Sequence, residues 1–248
     1  MSVKRILLFE QSEFKILSEK RGFYGYRAAV FLLLFLPPEK EHTHPQTNPF
    51  FRFRCVNQKW HTKHMKNILY QPFSDFYAGR KIVVSDKMQQ GYVYYLQENP
   101  AENFARDFTP ELTPLQMLQL GVFEGHYLND CYEEFPKEWF ILTEKNRSEN
   151  KPDIRKNCFG VKARLGRKEW VKRGWIFPFD PDPRGWFQWY CRYWLGRRIP
   201  DIDARQIRRW KAFKRHQAQV IKNCPPQDLS CRRKQRQALL QWAYNPFL

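Results

Sequence analysis

Apolar and polar positions follow a helical period most clearly in "PDIDARQIRRWKAFKRHQAQVIKN", which begins at Pro200. On a helical wheel one face is apolar and consists of Ile202, Ile207, Trp210, Phe213, Val220 and Ile221. The opposite face is basic and consists of Arg205, Arg208, Lys211, Arg215 and Lys222, with Arg209 and His216 at its border and Lys214 as the exception. Asp201 and Asp203 suit the start of a helix and "CPP" stops it, so we expect an amphipathic helix over about residues 203–222.

The stretch "DPDPRGWFQWYCRYWLGRR" predicts a second helix, over residues 183–195. Asp182 is a typical N-cap, Pro183 suits the first helical position and Gly196 is a typical terminator. Four rings fall within an arc of about 100°: Trp186, Trp189, Tyr190 and Tyr193. Because burying such rings stabilises a fold, we expect this aromatic stripe to pack on the apolar face of helix 203–222; an exposed platform for nucleobases is the alternative. Phe187 and Trp194 lie off its centre and are the rings expected at the surface.

Shorter signals complete the predicted fold. "TPLQMLQLG" predicts a short helix with Thr113 as N-cap, Pro114 first, Gln116 in a capping box and Gly121 as terminator. "KIVVSD" and "GYVYYL" are typical of strands, although residues 85–99 could also form a helix. "SCRRKQRQALLQWAY" predicts a last helix capped by Ser230. The predicted fold is a mainly α, multi-helix domain with at most a small β element; an α+β fold is the alternative.

The first 64 residues differ from the rest of the chain. Residues 28–36 form an apolar run of nine, too short to cross a bilayer and too far from the start for a signal peptide. The stretch after it is rich in Pro, His, Asn and Thr, and regular patterning begins only at Met65. We therefore expect residues 1–64 to be an extension or linker, or the product of a wrongly assigned start, and residues 65–248 to be one helical domain that folds without them.

The net charge of +18 lies almost entirely in the last 98 residues. Residues 151–248 contain 24 Lys and Arg against 7 Asp and Glu, whereas residues 1–150 contain 19 against 18. No acidic residue lies between Arg205 and Lys222. Charge confined to one region attracts a polyanion, and counterion release drives binding to phosphates.

The expected partner is therefore the phosphate backbone of DNA or RNA. Its predicted ligands are Arg197, Arg198, Arg205, Arg208, Arg209, Lys211, Arg215, Arg232 and Arg233. A solvated basic surface is the competing interpretation. Binding to a membrane surface is disfavoured because the apolar face of helix 203–222 carries the large rings that the core needs.

An enzyme acting on nucleic acid is the alternative function. Segment 124–138 contains three candidate acids, Asp130, Glu133 and Glu134, that could bind a hard cation or transfer protons; solvated surface acids are the competing interpretation. Carboxylates buried in a cleft, facing arginines and with shifted pKa values, would favour the enzyme. The chain contains none of the common phosphate-loop, zinc-protease or serine-hydrolase motifs, so no reaction is predicted. A ribonucleoprotein or partner-binding subunit is the third possibility.

Six scattered cysteines without a C-x-x-C pair favour reduced thiols and an intracellular protein, cytoplasmic or nuclear and not secreted. Cys224 and Cys231 in "CPPQDLSC" are expected to be inert thiols, with a loop staple or half of a metal site as alternatives. His61 and His64 have a metal-compatible spacing but no evident third ligand. We therefore predict no metal and no cofactor.

Three blocks carry a resemblance: "TPLQMLQLGVFEGHYLNDCYEEFP", "DPRGWFQWYCRYWLGRR" and "DARQIRRWKAFKRHQAQV". In this order they resemble a widespread family of uncharacterised proteins from bacteria and microbial eukaryotes. The resemblance covers roughly residues 65–248. It implies one coherent domain and an extension before it, and it assigns no activity and no functional residue.

Overall fold

The computed structural model describes residues 75–177 and 179–248. The predictions made for residues 1–64, including His61 and His64, lie outside these described residues. The described residues contain one antiparallel hairpin and six α-helices. The mainly α fold with a small β element is therefore confirmed.

The hairpin consists of β1 (Lys81–Ser85) and β2 (Gln90–Tyr95). Val83 pairs with Val93 and Val84 pairs with Tyr92, and an irregularity follows Val84. Burial alternates along β1, as expected of a strand with one face on the core. The strand prediction is confirmed, and the alternative helix over residues 85–99 is wrong.

The helices follow in chain order, and three single-turn 3-10 segments lie between them. The helices are α1 (Pro114–Leu120), α2 (Lys137–Ile141), α3 (Arg167–Lys172), α4 (Trp186–Trp194), α5 (Pro200–Asn223) and α6 (Arg233–Leu240). None of these helices in the described part of the chain is long and apolar enough to span a bilayer.

Helix α1 has the predicted caps. The Thr113 side chain accepts a hydrogen bond from the Gln116 N–H, and the Gln116 side chain accepts one from the Thr113 N–H. Gly121 ends the helix with φ 90°, and a Cβ at this position would lie 2.1 Å from the Lys156 carbonyl oxygen. Only glycine combines this backbone conformation with such a close approach.

Helix α4 is the centre of the core. Its predicted stripe of Trp186, Trp189, Tyr190 and Tyr193 is buried. The Trp189 Nε1–H donates to Asp203 of α5 at 2.8 Å. Trp210 of α5 is also buried and packs on Phe108. The predicted packing of the stripe on α5 is therefore confirmed.

The expected exposure of Phe187 and Trp194 is wrong, since they are 2% and 6% exposed. The Phe187 ring packs on Phe123 at 5.0 Å, and the Trp194 ring packs on Trp139 at 6.0 Å. Every residue of α4 is buried, so this helix has no outward face. A helical wheel assumes that one side of the helix faces solvent, and this assumption does not hold for α4.

Two predicted N-caps are also wrong. Helix α4 begins at Trp186 after Gly185, because the Asp182 carboxylate binds two arginines instead of capping the helix. Helix α6 begins after Arg232, and the Ser230 hydroxyl donates to Asp228 at 2.6 Å. Helix α5 begins at Pro200 and ends at Asn223, three residues before and one residue after the predicted span of 203–222.

The expectation that Cys224 and Cys231 are reduced thiols is wrong. They form a disulfide with Cα atoms 5.7 Å apart, and the bridge closes the loop between α5 and α6. Cys158 is also disulfide-bonded, whereas Cys131 and Cys191 are buried thiols. Cysteine usage therefore no longer supports a reducing compartment.

Candidate nucleic-acid interface

Helix α5 presents a row of exposed cations, which we call the basic face. The basic face consists of Arg208, Lys211, Lys214, Arg215 and Lys222. At 1.5 Å per residue these positions extend over about 20 Å, a length that can follow several phosphates. The Lys211 ammonium pairs with the exposed Asp107 carboxylate, and Arg215 Nε donates to the Ala212 carbonyl oxygen at 3.0 Å. Lys214, which the helical wheel set apart, is exposed like the others.

Three of the predicted phosphate ligands hold the fold together instead. Arg197 is 1% exposed and donates to Asp182 at 2.6 Å. The Arg205 side chain is 11% exposed and pairs with Asp180 at 3.1 Å. Arg198 lies over the Tyr193 ring and donates to the carbonyl oxygens of Tyr193, Arg197 and Glu102. Because these guanidinium groups are engaged by the protein itself, we leave them out of the interface.

The remaining three arginines differ in exposure. Arg232 is exposed and donates to the Gln235 side chain at 2.7 Å, so it remains a candidate. Arg233 is partly buried and donates to the Phe159 carbonyl oxygen. Arg209 is also partly buried, and its guanidinium lies 5.7 Å from the centre of the Trp175 ring and 5.6 Å from that of Trp242.

The segment before α4 lies beside the first half of α5. Its stretch "RKEWVKRGWIFPFD", residues 167–180, combines four cations with four aromatic rings. The Arg205 guanidinium lies 4.4 Å from the centre of the Phe177 ring, and Asp180 at the end of the segment pairs with the same arginine. This stretch is not among the predicted phosphate ligands, although interleaved basic and aromatic residues are a known sign of nucleic-acid contact.

A buried network of ion pairs lies under these elements. Arg192 is fully buried and binds Glu134 at 2.5 Å and Asp182 at 3.1 Å. The Tyr94 hydroxyl donates to the same Glu134 oxygen at 3.1 Å. The network therefore joins β2, segment 124–138 and α4.

Arg184 forms the second part of the network. It binds Asp86 at 3.1 Å and Asp130 at 2.8 Å. Burial alone would raise the pKa of Asp86, but the Met88 N–H and Arg184 together hold this pKa below its usual value. Burial raises the pKa of the neighbouring Cys131 thiol, so this group is protonated at neutral pH.

The network includes two of the three candidate catalytic acids. Asp130 and Glu134 bind arginines, whereas Glu133 is exposed at the surface. Asp86, Cys131 and Glu134 also place three possible metal-ligand atoms within 4.8 Å of one another. A cation there would lie next to the guanidinium groups that already bind both carboxylates, so we interpret this cluster as part of the ion-pair network.

His216 was expected at the border of the basic face and is buried instead. Neither ring nitrogen has a hydrogen-bond partner among the described residues. Burial, with a smaller contribution from the charge of Arg215, lowers its pKa to about 4 from an ordinary value near 6.5. The imidazole is therefore neutral in the folded protein and does not add to the basic face.

The titration of His216 predicts a pH dependence of stability. Between about pH 6.5 and pH 4 the unfolded chain binds a proton that the folded chain does not. The free energy of unfolding therefore decreases as the pH is lowered through this range. The loss from this group stays below about 1.4 kcal/mol per pH unit. Urea denaturation of the wild type and His216→Leu at several pH values measures it. Equal pH dependence in the two proteins would contradict this account of His216.

The chain matches none of the family models, curated proteins or solved structures with which it was compared. The function is therefore argued from the charge, exposure and contacts of the side chains described above.

Proposed function

We propose that this protein binds nucleic acid through the phosphate backbone and that the basic face of α5 holds the phosphates. The observation that carries this proposal is a row of exposed cations on a helix with no acidic residue between Arg205 and Lys222. Among the contacts of the described residues, Asp107 is the carboxylate partner of this row. Mutual repulsion of the remaining cations is relieved when a polyphosphate replaces their counterions.

The side chains of the basic face support contact with the phosphate backbone of the nucleic acid rather than recognition of its bases. Lysine ammonium groups and exposed arginines on one helix face contact phosphates without distinguishing bases. The buried aromatic stripe and ion-pair network hold α5 in place from its other side. A ribonucleoprotein subunit could use the same surface in the same way.

The enzyme alternative has less support. Asp130 and Glu134 already accept hydrogen bonds from Arg184 and Arg192. A carboxylate bound in this way needs to break its ion pair before it can bind a cation or transfer a proton. Glu133 is exposed and does not belong to the ion-pair network, so it is not held next to a second candidate catalytic group.

Single substitutions test the proposal. Arg208→Ala and Arg215→Ala should each reduce the magnitude of the slope of log K against log salt by about 0.9 on duplex DNA, with sequence preference unchanged. The slope falls because each variant neutralises one phosphate fewer. Fluorescence anisotropy with a labelled duplex at several salt concentrations measures it.

Lys81→Ala is the matched control, because Lys81 is also exposed but lies on the hairpin. The control should keep the wild-type slope. If Lys81→Ala lowers the magnitude of the slope as much as Arg208→Ala does, the effect of a lost cation does not depend on its location on α5. The proposed interface would then be wrong.

A further inference from the structure

A partly exposed aromatic surface lies beside the first half of α5. We propose that it stacks unpaired bases, so that the ligand is a single-stranded nucleic acid; this inference rests on the proposed function. We call this surface the aromatic platform and define it as Trp175, Phe177 and Phe179. Aromatic rings beside a basic groove bind single strands because every base has a face that can stack.

Phe179 is the central residue of the aromatic platform. Its side chain is fully exposed, the most exposed of the large apolar residues in the described part of the chain. Its backbone has φ 64°, a left-handed conformation that bulky residues rarely adopt. An exposed ring adds little to folding, and strained residues of this kind are concentrated at functional sites. This conformation belongs to a turn in which the Asp180 N–H donates to the Phe177 carbonyl oxygen at 3.1 Å, and glycine is the usual residue at this position. The turn does not require an aromatic side chain, so a role in binding is what would explain the exposed ring.

Cations surround the other rings of the platform. Trp175 has the guanidinium groups of Arg173 and Arg209 at 5.6 and 5.7 Å from its ring centre. One face of the Phe177 ring is covered by Arg205, which is held by Asp180 and positions this ring without serving as a phosphate ligand. Arginine beside an aromatic ring provides a partner for a phosphate next to the surface on which its base stacks.

A largely buried ion pair links the aromatic platform to α5, the helix that carries the basic face. Asp180 follows Phe179 directly and pairs with Arg205, which lies one helical turn before Arg208. Helix α3 adds exposed Arg167, Lys168 and Lys172 at the start of the same segment. A strand with a base on Phe179 would then have cations of α3 and α5 within reach of its neighbouring phosphates.

The rings favour a single strand over a duplex. In a duplex the faces of the bases are already stacked on their neighbours, so an exposed phenylalanine has no free face to contact. The basic face alone would bind both forms, because both carry phosphates. A preference for unpaired bases is therefore the property that the aromatic platform adds.

The test compares Phe179 variants of the full chain on oligo(dT), oligo(U) and a DNA duplex of equal length, by fluorescence anisotropy. Phe179→Ala should weaken binding to the single strands by about 5- to 150-fold and leave duplex binding unchanged. Phe179→Trp should retain binding. Tighter binding of the wild type to oligo(U) than to oligo(dT) identifies RNA as the ligand, and the reverse order identifies DNA.

Two further variants exclude a structural effect. Phe179→Gly should lose single-strand binding without a lower melting temperature, because glycine adopts the left-handed conformation without strain. Ile141→Ala removes another exposed apolar side chain, on α2, and should bind like the wild type.

The outcomes separate this inference from the proposed function. If Phe179→Ala binds single strands like the wild type, or weakens duplex binding equally, base stacking is wrong while salt-dependent binding by the basic face stands. If the wild type binds none of the three polymers, both are wrong.

Discussion

Replacing Arg192 by methionine will lower the free energy of unfolding by about 3–5 kcal/mol, the expected effect of removing one partner from a buried ion pair. Arg192 is fully buried and bonded to Glu134, Asp182 and the Gln89 side chain. Methionine fills much of the same space without charge. The buried Glu134 carboxylate would then lack its counterion, and Asp182 would keep only Arg197. The desolvation of Glu134 dominates the loss. Urea denaturation of the two proteins measures the difference.

Two variants show whether the loss comes from the uncompensated charges. Arg192→Met combined with Glu134→Gln should recover part of the stability, because the carboxylate that lost its counterion is replaced by a neutral amide. Arg155→Met breaks the exposed pair with Asp153 and should leave stability unchanged within error. A loss below about 1 kcal/mol in Arg192→Met alone would contradict the account of the network.

The ion-pair network connects stability to the proposed interface. Asp182 binds Arg192 and Arg197, and the Asp180 side chain accepts the Asp182 N–H at 2.9 Å. Asp180 also binds Arg205, although burial raises the pKa of this carboxyl above its usual value. The loop that carries Phe179 therefore ends in a buried, multiply bonded anchor next to α5.

The sequence predicted those elements whose signals are local. The Thr113 capping box and the apolar stripe of α5 depend on residues three or four positions apart, and both predictions are confirmed except for Ile221, which is 63% exposed near the end of the helix. The same applies to the alternation that predicted β1. Such patterns depend on backbone geometry that the structure of the rest of the chain does not change.

The errors concern side chains whose partners are distant in sequence. Arg197 finds Asp182 across 15 positions, and Arg192 finds Glu134 across 58. A helical wheel assigns such arginines to solvent because it contains no information on carboxylates from other elements. Asp182 was predicted to cap α4 for the same reason.

The solvent exposure of two phenylalanine rings could not be predicted from the sequence. Phe187 was expected at the surface and is buried, because α4 is enclosed on every side. Phe179 was overlooked, since a single ring in a loop has no periodicity that a pattern could reveal. Only the observed exposure and backbone conformation distinguish it.

The second large effect concerns binding. Changing Arg208, Lys211, Lys214 and Arg215 together to alanine should remove most of the affinity for nucleic acid. Lys214 is included and Arg205 is left out, because Arg205 is held by Asp180. If each side chain neutralises one phosphate, the magnitude of the log–log salt slope falls by about 3.6 on duplex DNA and about 2.8 on a single strand.

A matched control separates position from net charge. Lys81, Lys87, Lys137 and Lys145 are exposed and lie outside α5, so their combined change to alanine removes the same charge. This control variant should keep a salt slope close to that of the wild type, because released counterions come from direct phosphate contacts.

The most direct test of the account is the salt slope of the quadruple α5 variant on duplex DNA, measured by fluorescence anisotropy beside the wild type and the control variant. We expect the magnitude of the slope to fall by about 3.6 in the α5 variant and to stay close to the wild-type value in the control variant. An unchanged slope in the α5 variant would show that the basic face is only a solvated surface and would contradict the proposed function.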